Sequence, residues 1–292
     1  MGCMQALQST MPRRNFGPTG VEVAVIGQGT WQVRDVQRAA AAIERGLQLG
    51  MTHIDTAELY EQGSGSETML GALLAAETGD GWTLRDQVFL ASKVLPNNAT
   101  HKGVLSACKD SLVRLATDRI DLYYHHWRGR TPLAETLGAL AELKDRGWIK
   151  HIGVSNYDVD DLDQALSILG PKAIAANQVL YHLEDRGIEA DVVPWCKKHG
   201  VAVVGYSTFG AGAWIRDAKR RSAFEAIARS AGCTPRQLAL AFLTRDPSVF
   251  AIPKAESIPH VDENAGGART LAGEQIDAID ALFPVRAGLR TA

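Results

Sequence analysis

The 292-residue chain is poor in cysteine. Cys3, Cys108, Cys196 and Cys233 are scattered, and no two of them share the two-residue spacing of a zinc or redox site. That excludes a disulfide scaffold and fits free thiols in a reducing compartment, so a cytoplasmic location and no bound metal are expected. Long apolar runs are missing too. No stretch reaches the ~18 residues of a spanning helix, and no membrane partner is expected. Nor is there an excess of charge of one sign: 31 Lys and Arg against 33 Asp and Glu leave a formal net charge of -2. Such a balance gives no electrostatic footprint for nucleic acid. The N-terminus lacks the order of a signal peptide, since Arg13 and Arg14 come last and no apolar core follows a basic start. Ala6 stands where a myristoylation motif needs Ser or Thr. Residues 1–15 therefore read as a frayed extension, ahead of one domain over 16–292.

What the chain does have is alternation. Short β-branched runs begin near residues 21, 52, 88, 120, 149, 173, 201 and 249, with 21–26 as the first strand. Between them lie helical patterns. Residues 35–49 carry an Asp35 N-cap and Gly50 just past the end. Residues 102–115 place apolar side chains at helical spacing. Residues 132–146 start with Thr131 as cap and Pro132 in the first turn. Further helices are expected over 67–76, 158–166, 188–199, 234–245 and 260–269. Strands separated by helices must be parallel. Eight such units fit an α/β fold of the single (β/α)8 TIM-barrel type, ~250 residues long. A long loop and helix insertion falls between the seventh and eighth strands. A doubly wound sheet would place a glycine-rich phosphate loop after the first strand, and Gly27-Gln28-Gly29-Thr30 lacks the third glycine.

In a barrel, chemistry sits at the C-terminal ends of the strands. The polar residues there are Asp55, Ser92-Lys93, His125-His126, Ser155-Asn156, Asn177-Gln178, Tyr206-Ser207 and Lys254, with Tyr60 in the loop after Asp55. An unpaired buried lysine is costly, so Asp55 is the natural partner of Lys93. A phenol of pKa ~10 is a poor acid near neutrality; a nearby ammonium lowers that value. A histidine can orient a carbonyl oxygen. Together, Asp55, Tyr60, Lys93 and His126 make a group that protonates an oxygen as it gains negative charge. Such a group needs a hydride donor, because no nucleophile or metal cluster is apparent. His53 reads as a hydrogen-bonded core histidine, and His125 as pointing away from the barrel interior. Trp148 and Trp195 read as packing residues, and Lys219-Arg220-Arg221 as a solvated face.

These segments carry a likeness. Gly27-Gln28-Gly29-Thr30-Trp31, His53-Ile54-Asp55-Thr56-Ala57-Glu58-Leu59-Tyr60, Ala91-Ser92-Lys93-Val94, Asp121-Leu122-Tyr123-Tyr124-His125-His126-Trp127, Gly153-Val154-Ser155-Asn156, Asn177-Gln178, Gly205-Tyr206-Ser207 and Ile252-Pro253-Lys254 with Glu263-Asn264 occur in order over about residues 20 to 285. The chain thereby resembles the aldo-keto reductase family, and within it the small bacterial methylglyoxal-reductase type. The resemblance implies Tyr60 as general acid, Lys93 and Asp55 as its tuning pair, and His126 as the group orienting the carbonyl. It implies NADPH as cofactor, with NADH as the alternative. The implied cofactor contacts are Gly29, Thr30 and Asp55, then Ser155, Asn156 and Gln178 at the carboxamide, with Tyr206 stacked on the nicotinamide. Ser207, Phe209 and Gly210 would follow at the pyrophosphate, Lys254, Ala255 and His260 at the 2′-phosphate, and Glu263 and Asn264 at the adenine. Trp31, Tyr60, Leu95, His126 and Trp127 would line the substrate pocket.

The chain departs from the family's pattern at three positions. Arg128 follows His-Trp where many members have Pro. Ala255 and His260 stand where many have Ser and Arg, which implies a narrower preference for NADPH. The stretch after the final helix, 284–292, is short, so an open mouth and small activated carbonyls such as methylglyoxal or aromatic aldehydes are expected. The expected partner is a small-molecule carbonyl, and the expected state a monomer. A non-catalytic, cofactor-binding regulatory barrel and a barrel enzyme of phosphate or sugar-isomerase chemistry are the other readings.

Overall fold

The computed structural model describes residues 11–77, 83–212 and 214–286. It opens on an antiparallel hairpin, β1 (Arg13–Asn15) with β2 (Glu22–Ala24). This corrects two expectations. The frayed extension lies outside the described residues over 1–10, but Met11 is buried and Arg13–Asn15 is strand. The run at 21–26 is largely hairpin rather than the first barrel strand. Arginine makes this ordering possible: Arg13 donates to the Thr52 hydroxyl at 2.9 Å, and Arg14 to the carbonyls of Thr244 and Asp246 at 2.8 and 3.0 Å.

Eight parallel strands follow: β3 (Gln28–Gly29), β4 (His53–Asp55), β5 (Phe89–Val94), β6 (Ile120–His125), β7 (Ile149–Ser155), β8 (Ile174–Leu180), β9 (Ala202–Tyr206) and β10 (Val249–Ala251). Each pairs with the next in chain order. The two ends meet through parallel bridges, Ile26 to Ala251 and Gly29 to Lys254, so the sheet closes as a barrel. Strands covered on both faces read as continuous apolar runs rather than alternating ones, and every residue of β5 is buried, Lys93 included. Phe16, in the hairpin turn, plugs the N-terminal end. Its ring lies 5.0 Å from Phe89, 4.9 Å from Phe250 and 5.7 Å from His53.

The helices are α1 (Val36–Gln48), α2 (Glu58–Ser64), α3 (Ser66–Leu74), α4 (His101–Arg114), α5 (Leu133–Asp145), α6 (Val159–Leu169), α7 (Val192–His199), α8 (Ala218–Ser230), α9 (Pro235–Leu243), α10 (Ile258–Ala265) and α11 (Gly273–Leu282). Side-chain oxygens start several of them by accepting a free backbone N–H: Asp35 for α1, Thr100 for α4, Asp158 for α6 and Thr234 for α9. In α5 the cap is Pro132 itself, in extended backbone, one residue later than expected. The insertion between β9 and β10 holds α8 and α9. Lys219-Arg220-Arg221 lies on α8, where Arg220 pairs with Glu184 at 3.6 Å. Close packing of α3 on α4 depends on Gly71, where a Cβ would stand 2.2 Å from the Arg114 carbonyl oxygen.

His53 is fully buried, but neither ring nitrogen has a partner. The expected satisfied core histidine is instead a ring held edge-on by Phe16 and Phe89. Trp195 packs beside His199 and donates to Asp163 at 2.8 Å. Cys3 lies outside the described residues; Cys108 and Cys196 are free and buried, and Cys233 is free and half-buried.

Candidate active site

The C-terminal ends of the strands bring Asp55, Lys93, Ser155, Gln178 and Tyr206 to one mouth, with His126 one residue past β6. Tyr60 joins them from the first turn of α2, not from a loop. Glu58 fixes that turn: its carboxylate accepts the backbone N–H of Leu95 and the Asn98 side-chain amide at 3.0 and 3.1 Å.

Lys93 is the centre of the arrangement. Its Nζ donates to Asp55 Oδ1 at 2.5 Å and to the Thr56 carbonyl at 2.8 Å, with no exposed side-chain surface. An ammonium has three donors, and those two bonds account for two of them. Gln178 Nε2 donates to the other Asp55 oxygen at 2.7 Å. The Lys93 Nζ lies 5.1 Å from the centre of the Tyr60 ring. Tyr60 in turn meets the His126 ring edge to face at 6.0 Å.

Burial dominates the electrostatics. It pushes the Asp55 carboxyl up and the Lys93 ammonium down, and the charge of each opposes the shift of the other. Burial, then the Asp55 carboxylate, holds the Tyr60 phenol well above its ordinary value. This corrects the expectation that Lys93 lowers it. Burial, Lys93 and His125 bring His126 down to about 2, so its imidazole is neutral at any working pH. Its Nδ1 is buried without a partner. A buried N–H left unpaired is expensive, which favours the tautomer with the proton on Nε2, a donor toward the mouth. The backbone N–H of His126 bonds to the Val94 carbonyl at 3.0 Å, and its carbonyl accepts from Asn156 Nδ2 at 3.1 Å. His125 points the other way, into a 2.7 Å bond with the Tyr157 hydroxyl.

A second set of polar residues lies beyond this centre. Ser155 Oγ donates to the Gln178 carbonyl at 2.9 Å, and the Tyr206 hydroxyl to Asn156 Oδ1 at 2.8 Å. Asn156, Ser207, Gly210 and Ala211 all have positive φ, and Thr208 Oγ1 is buried without a partner. Phe209 lies between Trp214 and the Arg236 guanidinium, which is 4.6 Å from its ring centre. Farther along, Lys254 donates to the Gln32 carbonyl and pairs with Glu256. Arg236 and Glu263 approach to 3.9 Å, Asn264 is buried, Ala255 is half-buried and His260 is exposed. Gly29 pairs with Lys254 along the closing bridge, and the Thr30 hydroxyl donates to the Asp55 carbonyl at 3.0 Å. Trp31 and Trp127 stand exposed at the rim, and Leu95 is half-buried. Among the described residues, no group of three or more His, Cys, Asp or Glu side chains is placed to hold a metal ion.

Sequence reasoning gave no role to Glu58, which lies inside a quoted segment, and overlooked Arg236, Thr208 and Glu256. Thr208 stands between Ser207 and Phe209, and Glu58 and Glu256 each two residues from a residue already singled out; that proximity was the available signal. The Thr56 carbonyl, a backbone atom, offered none.

The protein is a closed parallel barrel with a buried carboxylate–ammonium pair, a phenol and a neutral imidazole at its C-terminal mouth. The model of the aldo/keto reductase family matches residues 25–283, and the chain belongs to that family. It is 39% identical over 274 residues to the methylglyoxal reductase YeaE of Escherichia coli, covering 92% of this chain and 94% of that protein. It is 31% identical over 287 residues to an aldose reductase of Encephalitozoon cuniculi, covering 90% and 91%. Among solved structures it is similar to an aldo/keto reductase from Klebsiella pneumoniae in complex with NADP and acetate, at 39% identity and a TM-score of 0.87, covering 96% of this chain and 99% of that one.

Proposed function

We propose that this chain reduces small, activated aldehydes and ketones to alcohols with NADPH, and with NADH less readily. The buried Asp55–Lys93–Tyr60–His126 cluster is the observation that carries this reading. Bound nicotinamide supplies the hydride. Tyr60 gives its phenolic proton to the carbonyl oxygen, and the His126 Nε2–H steers that oxygen. Lys93, held by Asp55 and Thr56, presents a fixed positive charge to the oxygen as it becomes negative.

On this reading the residues beyond the centre, from Ser155 and Tyr206 to Lys254, form a groove for the dinucleotide. Tyr206 offers an aromatic face tethered through Asn156. The orphaned Thr208 hydroxyl sits in a turn where Ser207, Gly210 and Ala211 hold left-handed backbone, a shape that gathers N–H groups around an anion. Lys254 supplies a cation at the far end. Similar structures are described in complex with NADP or NADPH, and relatives named methylglyoxal reductases support a small dicarbonyl as substrate. Trp31 and Trp127 are exposed, and an open mouth beside them would suit small substrates better than bulky ones.

Tyr60→Phe keeps the ring and removes the proton. General acid catalysis is worth ~10²–10⁴-fold, so turnover of methylglyoxal should fall by about that factor while NADPH binding stays near wild type. A variant that turns over normally would remove Tyr60 from the reaction.

A further inference from the structure

We infer that Glu256 sets cofactor preference: its carboxylate holds Lys254 in the place a 2′-phosphate would take, and so narrows the margin of NADPH over NADH. This rests on the reading of the groove as a dinucleotide site. Lys254 Nζ stands 2.6 Å from Glu256 Oε1 and 2.9 Å from the Gln32 carbonyl. The same Oε1 accepts the Arg34 backbone N–H at 2.7 Å. Glu256 is thus anchored from two sides, on the loop that carries Lys254 and on the loop that carries Trp31. The Lys254 and Arg34 hydrogen bonds hold its carboxyl below the usual range, against the opposing effect of burial.

Lys254 is already paired with Glu256 before any ligand arrives. A 2′-phosphate must either displace the carboxylate or sit beside it, and both options weaken the gain that a free lysine would give. A cofactor with a 2′-hydroxyl meets no such competition. The neighbouring cations are engaged in the same way: Arg45 pairs with Asp262 at 2.7 Å, and Arg236 with Glu263 at 3.9 Å.

Glu256→Gln tests this cleanly, because the amide oxygen still accepts from Arg34 and only the charge is lost. Binding of NADP⁺ and NAD⁺ is measured by calorimetry without substrate, together with the fragments 2′,5′-ADP and 5′-ADP. Glu256→Gln should tighten NADP⁺ and 2′,5′-ADP about tenfold and leave NAD⁺ and 5′-ADP within about twofold. Lys254→Met should abolish that gain, so the loss on removing Lys254 is larger in the Glu256→Gln background than in wild type. An unmoved NADP⁺/NAD⁺ ratio overturns the proposal and leaves the function standing. So does a gain that survives in the Lys254→Met background. Failure to bind either dinucleotide overturns the reading of the groove and this proposal with it.

Discussion

Acidification should destabilise this protein through its buried histidines. His53, His125 and His126 are buried, and burial brings their pKa values down to about 3, 4 and 2. In the unfolded chain each returns to ~6.5. The folded values are depressed, so as pH falls the unfolded state takes up protons first. Stability is therefore lost from pH ~6.5 downward, until the folded values are reached. Each histidine contributes a slope of up to about 1.4 kcal/mol per pH unit. Between pH 7 and 5 that is about 2 kcal/mol per histidine, or about 6 kcal/mol for the three. A domain holds only about 5–15 kcal/mol in all. Asp55, whose carboxyl is raised by burial, pushes the other way, so the clean measurement is a difference between variants.

His53→Phe provides that difference. The ring sits edge-on between Phe16 and Phe89, with no hydrogen bond to lose. Urea unfolding of both proteins at pH 7, 6 and 5 should show the variant gaining about 2 kcal/mol on wild type over that range. Equal pH slopes would show that His53 titrates alike in the folded and unfolded chain, and would refute the argument.

The Asp55–Lys93 pair should behave as a unit. Asp55→Asn or Lys93→Met alone leaves one buried charge unmatched and should cost about 3–5 kcal/mol, while the double variant should cost less than the sum; additive losses in thermal unfolding would contradict the coupling. Gly71→Ala forces a Cβ to within 2.2 Å of the Arg114 carbonyl oxygen. Moving α3 off α4 is an overpacking effect of about 1–3 kcal/mol, and Tm should fall by several degrees; an unchanged Tm would mean that the two helices separate freely.

The barrel was legible because eight apolar runs, separated by capped helices, admit few arrangements. Asp35, Thr234 and Asp158 mark helix starts through a local rule, and the structure follows it there. The hairpin at 13–24 was not legible. Arg13 and Arg14 reach a hydroxyl and carbonyls far along the chain, and no local pattern encodes such a partner. Tyr60 was found as a residue and misplaced as an element. The segment 58–64 is a short helix with no side-chain cap, held by Glu58 reaching across to Leu95 and Asn98. His53 shows the opposite limit. Its residue type promised hydrogen bonds, and only the three-dimensional neighbours reveal an aromatic slot without any.

The direction of the Tyr60 shift changes how the site is understood. From sequence, Lys93 was expected to acidify the phenol. In the fold its charge is matched by Asp55, and burial raises the phenol instead. A proton donor must be protonated before the reaction, so a raised value fits the role proposed for Tyr60. On the reading proposed above, transfer is then driven by the charge growing on the carbonyl oxygen. The oxygen faces a neutral imidazole donor and a lysine that cannot move away from Asp55 and Thr56. Low local polarity strengthens both interactions. On the same reading, the burial that makes three histidines an acid liability also strengthens the field of one ammonium held in place at the mouth.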